Sequence, residues 1–125
     1  MRALRFYPDE RNLCIEDVDV REPRGDEVLV RVAGAGLCGS DLHIVDGEFA
    51  HFVRKPVTLG HEVAGVVEAI GPDVRELGLG ETVAVMVGWG CGHCEWCVSG
   101  HEQLCPSGHM AGATCDGAFA EFMLV

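Results

Sequence analysis

"GAGLCGSDLH", residues 34–43, follows the apolar alternation "EVLVRVA" of residues 27–33 and admits two incompatible readings. Gly34, Gly36 and Gly39 fit the G-x-G-x-x-G spacing of a dinucleotide-binding turn, while Cys38, Ser40, Asp41 and His43 are the raw material of a metal site. The choice decides the fold. A dinucleotide turn feeds a helix of roughly a dozen residues or more that crosses over to a parallel strand. Here the only helical stretch that follows is "SDLHIVDG", with Ser40 to cap its start and Gly47 to close it, about two turns at most. Pro56 then interrupts, and no second strand-helix pair appears anywhere in the chain. The three glycines therefore read as easing a bend off a strand rather than as a phosphate cradle.

Outward from that segment, short apolar or alternating runs recur at "MRALRF", "NLCIEDVDV", "EVLVRVAGA", "HEVAGVVEAI", "ETVAVMV" and "AFAEFMLV". These are six strand candidates. Turn signals separate them, among them "EPRGDE", "GPDVRELGLGE" and a Gly-rich loop over residues 88–117. There is no internal repeat and no low-complexity tract. At 125 residues, 48% apolar, with 17 glycines and few aromatics, the chain is expected to form one mostly antiparallel, barrel-like β domain over residues 1–125 with one long loop.

Twenty acidic against nine basic side chains give a formal charge of −11, and no Lys or Arg follows Arg75. Such a surface repels phosphate backbones, so nucleic acid is not expected as a partner. The opening "MRALRFYPDE" is charged where a signal peptide is apolar, and no window has the apolar length of a membrane span, so no membrane association and a cytoplasmic location are expected. In that setting the seven cysteines are not expected to form a disulfide framework, because cytosolic thiols are kept reduced.

Four of the seven are clustered. "CGHCEWCVSGHEQLC" places Cys91, Cys94, Cys97 and Cys105 with two, two and seven residues between them. Thiolates at such spacing can curl onto one tetrahedral zinc ion, with Gly92 and Gly100 making the turns. Four protein ligands leave no open coordination position, so the expected role is structural. Four buried free thiols, or a redox pair, are the competing readings. His93, His101 and His109 are read as surface residues, and Cys14 and Cys115 as small buried hydrophobes.

Cys38 and His61 have 22 residues between them, and taken singly each suits an ordinary core or polar position. Their neighbours add chemistry. Asp41 can orient a ligating imidazole through its second nitrogen. Ser40 and His43 supply a hydroxyl and an imidazole three positions apart on one helix face, a short proton path of the kind that alcohol deprotonation needs.

Taken in order, "CGSDLH", "GHEVAGVVEAIG", the "CGHCEWC" loop ending in "EQLC", and "GATCDGAFAEF" resemble the catalytic domain of the zinc-containing medium-chain alcohol dehydrogenases. "CGSD" is closest to the polyol, butanediol and threonine dehydrogenase branches, and "GWGCG" and "DGAFAEF" are similar to segments of bacterial and archaeal alcohol dehydrogenases. The resemblance runs over essentially the whole chain. It implies a GroES-like distorted β-barrel with short helices. It also implies one catalytic zinc on Cys38 and His61, with Glu62 as an exchangeable ligand, and one structural zinc on Cys91, Cys94, Cys97 and Cys105. Adjacent strand residues point to opposite faces, so His61 and Glu62 can share an ion only if the chain bends at Gly60. Ser40 is implied to receive the alcohol proton, His43 to pass it to solvent through the cofactor ribose, and Asp41 to support His61. Gly39 departs from relatives that carry Arg or His there to hold the cofactor pyrophosphate.

The family's remaining ligand to the catalytic zinc and its nucleotide-binding domain are expected beyond Val125, where "AEFMLV" ends on an apolar strand. The implied function is the zinc-bearing part of an NAD(P)-dependent alcohol or polyol dehydrogenase acting on a small alcohol, polyol or ketone, as a homodimer or homotetramer. Two alternatives stand beside it: a zinc-stabilised GroES-like binding or interaction module without activity of its own, and, on fold alone, a co-chaperonin-like protein.

Overall fold

Alternation in the first seventeen residues produces a hairpin: β1 (Arg2–Tyr7) pairs antiparallel with β2 (Asn12–Asp17), and β4 (Val57–Thr58) lies along the other edge of β1. The computed structural model describes all of residues 1–125. The two longest apolar runs, β3 (Val28–Gly36) and β5 (Glu62–Ile70), pair antiparallel at the centre of a second sheet, flanked by β6 (Thr82–Val85) and β9 (Phe122–Leu124). A third pair, β7 (Gly88–Trp89) with β8 (His109–Met110), closes the base of the cysteine loop. All six expected strands are present, and all named strand pairs are antiparallel.

The fold is mainly β, as expected, but its hydrogen bonding is divided among three sheets and closes no barrel. Sequence reading misses β4, β7 and β8, because two residues are too few to show a period. It also misses two helical turns inside the cysteine loop, α2 (Glu95–Val98) and a 3-10 turn at Glu102–Leu104. The helix after β3 is where it was expected, α1 (Gly39–Asp46), closed by Gly47 in the left-handed conformation at φ 89°. Its cap differs. Cys38, not Ser40, stands at the N-cap, and the Asp41 carboxylate accepts the Cys38 N–H at 2.9 Å. No helix is long and apolar enough to cross a membrane.

Three apolar clusters hold the elements. Phe6, Val57 and Leu59 meet Ile44 of α1 and Ala113; Val63, Met123 and Ala118 fill the middle; Val28, Val30 and Val67 pack one end of the large sheet. Cys14 and Cys115 are half-buried rather than fully buried. Burial nonetheless pushes the Cys115 thiol up to about 11.

A polar clasp joins the first hairpin to the turn before β9. The buried Arg5 donates to Asp116 at 2.5 Å and to Thr58 Oγ1 at 3.0 Å, and Asp116 also accepts the Thr58 N–H at 2.8 Å. One carboxylate thus sets the strand that leads into Gly60 and His61. Asp116→Ala leaves the buried Arg5 guanidinium with Glu16 alone as its anion, 3.5 Å from Nε, and Nη1 without its carboxylate. The expected cost is about 3 kcal/mol, the low end for a broken buried pair, because the Asp116 side chain is 40% exposed. Denaturant unfolding of the variant measures it, and a change under about 1 kcal/mol shows the clasp to be decorative.

Candidate metal centres

The four-cysteine loop brings its sulfurs into one group. Cys91, Cys94, Cys97 and Cys105 offer Sγ atoms that all lie within 4.8 Å of one another. The Cys94 sulfur is 3.5 Å from that of Cys97 and 3.8 Å from that of Cys105. A disulfide brings its sulfurs to about 2 Å, so these are four separate thiols crowded about a common point. The backbone is built for the crowding. Gly92 and Gly100 take positive φ, at 77° and 78°, and a Cβ on Gly90 would overlap the Cys97 sulfur.

The environment pulls two of these thiols apart. Backbone N–H donors of His93 and Cys94 hold Cys91 down to about 6, whereas burial drives Cys97 up to about 12. Four thiolates in so small a volume repel one another unless a cation neutralises them, which is what a soft-ligand tetrahedral zinc site supplies. His93, His101 and His109 are exposed, outside the sulfur group. Ser99 Oγ and His101 Nδ1 pair at 3.2 Å, and His109 lies against Trp89.

The second group assembles residues from three parts of the chain. Cys38 caps α1, His61 follows the bend at Gly60, and Glu62 opens β5; their ligand atoms lie within 4.8 Å of one another. Gly60 takes φ 95°, so the chain turns sharply where a regular strand would have sent His61 and Glu62 to opposite faces. The turn is wedged. Phe119 presses on Gly60 from one side, and a Cβ on Gly117 would overlap the Gly60 carbonyl oxygen.

His61 is buried and its Nδ1 faces Asp41 Oδ1 at 3.5 Å. That is longer than a made hydrogen bond, and both atoms are buried with no other partner. With Nδ1 turned to the carboxylate, Nε2 is the nitrogen left for a ligand role. The Glu62 carboxylate forms no ion pair with any Lys or Arg, although it lies beside a thiol on a strongly acidic chain. A thiol, an imidazole and an unpaired carboxylate, backed by an oriented acceptor, fit a zinc ion. Ser40 Oγ is 3.5 Å from the Cys38 sulfur. His43 is half-exposed and its Nδ1 pairs with Glu48 at 2.9 Å, without a hydrogen bond to Ser40.

The opening ambiguity over residues 34–43 resolves on this geometry. None of Gly34, Gly36 and Gly39 has a positive φ, and β3 leads through an eight-residue helix into a different sheet. Gly34 follows a register shift between Val32 and Gly34, an irregularity that bends the strand.

Known proteins share this arrangement of elements. The alcohol dehydrogenase GroES-like domain family matches residues 24–125. An NAD-dependent alcohol dehydrogenase of Sulfurisphaera tokodaii is 40% identical, over all of this chain and 38% of its own length. A D-arabinose 1-dehydrogenase (NADP(+)) of Saccharolobus solfataricus is 40% identical over 90% of this chain and 32% of its own. The crystal structure of the alcohol dehydrogenase of Aeropyrum pernix superposes with a TM-score of 0.90 at 38% identity, covering all of this chain and 37% of that one. The chain thus spans about a third of the length of these relatives.

Proposed function

Since the chain belongs to the alcohol dehydrogenase GroES-like domain family, whose model matches it over residues 24–125, we propose that residues 1–125 form the zinc-bearing catalytic part of an NAD(P)-dependent alcohol or polyol dehydrogenase. Residues 1–23 belong to the same unit in this reading, because β1 pairs with β4 and Leu4 N–H donates to the Phe119 carbonyl at 2.7 Å. The loop over residues 88–117 carries the structural ion. The observation that supports the reading best is the convergence of Cys38, His61 and Glu62 with Asp41 behind the imidazole.

When bound, a zinc ion supplies Lewis acidity toward an alcohol oxygen and a nicotinamide supplies the hydride acceptor. The chain's residues do the rest. Cys38 and His61 would hold the ion. Asp41, whose Oδ1 faces Nδ1 at 3.5 Å, would hold the His61 ring in one tautomer once the ring turns to the ion. Glu62, exposed at the rim, would be the exchangeable ligand. Ser40, 3.5 Å from the Cys38 sulfur, would receive the hydroxyl proton, and the half-exposed His43, which makes no hydrogen bond to Ser40 and pairs with Glu48, would be the group that hands it on to solvent. The alcohol thereby loses a hydride and a proton and becomes a carbonyl. A small alcohol, polyol or ketone is the substrate class, the cytoplasm the setting in which the thiols stay reduced, and a homodimer or homotetramer the assembly. An interaction module held by the four-cysteine ion alone would have no use for Cys38, His61 and Glu62 at one point.

Metal analysis of the purified chain tests the reading. About two ions per chain are expected, one of them released to a chelator without unfolding. A single ion, lost only when the chain unfolds, overturns the catalytic assignment. A finer check is Asp41→Asn. Asparagine keeps an acceptor for the Cys38 N–H but removes the charge facing His61, so affinity for the second ion should fall by about 10-fold to 100-fold with the melting temperature unchanged. Chelator competition reads the affinity, and unchanged binding removes Asp41 from the site.

A further inference from the structure

Gly36 has an ordinary strand conformation, so backbone freedom does not explain a glycine there. Gly34, two residues earlier, has open space around it; nothing lies within 4 Å of where its Cβ would be. Gly36 does not. It is the direct cross-strand partner of Glu62 in the antiparallel pairing of β3 with β5. Side chains of directly opposed residues leave the sheet on the same face, about 5 Å apart at Cβ. The Glu62 carboxylate folds into the space that a side chain on Gly36 would fill. A Cβ there would overlap a Glu62 carboxylate oxygen and stand 3.0 Å from the Glu62 Cβ.

We propose that Gly36 positions the third ligand: by having no side chain, β3 admits the Glu62 carboxylate to the group formed with Cys38 and His61. The proposal rests on the reading of that group as a metal site. No basic residue pins Glu62 in place, so the free volume over Gly36 decides whether its carboxylate can lie across the strand toward Cys38. A methyl at residue 36 meets one side chain first, most closely its carboxylate end, with that side chain's Cβ a tight 3.0 Å away. The strand can keep its register while the carboxylate swings out to solvent. Gly36 is thus a positioning residue acting through Glu62.

The test uses the purified chain loaded with cobalt(II), whose spectrum separates the four-thiolate ion from one with mixed ligands. Release of the second ion to a chelator is timed in Gly36→Ala, Glu62→Gln, the double variant and Gly34→Ala. Gly36→Ala and Glu62→Gln should each speed release by roughly tenfold, the lower end of what loss of metal support costs. The double variant should release no faster than either single one, and Gly34→Ala should match the parent chain. Wild-type release from Gly36→Ala overturns the proposal, as do additive effects in the double variant. If Gly36→Ala lowers the melting temperature, adding Glu62→Ala should restore most of the loss, because the overlapping carboxylate is gone and only the Cβ at 3.0 Å remains; failure of that rescue also counts against it. A parent chain that binds only the four-thiolate ion removes the metal reading and this inference with it, whereas a second ion insensitive to Gly36 removes this inference alone.

Discussion

Cys38→Ala should lower turnover of the complete dehydrogenase proposed above by about four orders of magnitude, about 5 kcal/mol of barrier at the usual tenfold per 1.4 kcal/mol. On the proposed function the cause is loss of an ion that would polarise the substrate oxygen, so bound metal should fall from about two ions per chain to about one. Cys38 is half-buried, and its truncation removes a single sulfur atom. The melting temperature should therefore barely move. His61→Ala should lower turnover equally, with an added stability cost. Its ring is buried against Asp41, whose carboxylate oxygen would be left alone in the interior, a penalty of about 2 kcal/mol. The pair of variants thus separates chemistry from folding. A Cys38→Ala enzyme with near-normal rate, or one that keeps its second ion, ends the catalytic-site assignment.

How much of this was legible beforehand depended on the range of the interaction concerned. The cysteine loop is local: two, two and seven intervening residues bring four sulfurs within reach whatever the rest of the fold does. The strands were legible because six of them are long enough to show a period. The Cys38–His61–Glu62 group was not derivable from spacing, since it depends on β3 pairing with β5 and on the bend at Gly60. The resemblance carried that step, and a physical objection, that adjacent residues diverge on a strand, pointed to the residue that resolves it. Two devices gave no sequence signal at all. Asp116 lies in a turn and works through Arg5, more than a hundred positions away. Gly36 was one of three glycines in a familiar spacing, and only the cross-strand register distinguishes it from Gly34.

Cys97→Ala should instead strike stability and leave the second group assembled. Within the cysteine loop, Cys97 is the one buried residue of α2, the 3-10 turn at Glu102–Leu104 buries none, and Trp96, Val98 and Leu104 are exposed. A segment with so little apolar burial cannot offset the entropy of ordering its backbone, so the ion has to supply that stabilisation. Removing one of four thiolates should release the ion and let residues 91–105 melt, at a cost of about 3 to 4 kcal/mol. For a chain of this size that lowers the melting temperature by about 12 to 16 °C. Cys115→Ala is the matched control. Cys115 is half-buried and outside both groups, and its truncation should cost about 1 kcal/mol or less. Chelating the ion from the parent chain should reproduce the Cys97→Ala melt, and mild thiol reductant should leave it unchanged because the sulfurs are not bonded to one another. Equal melting of the Cys97→Ala and Cys115→Ala variants would mean that the loop is ordered by packing alone. The crowding of four sulfurs and the overlap that keeps residue 90 a glycine would then be left without a cause.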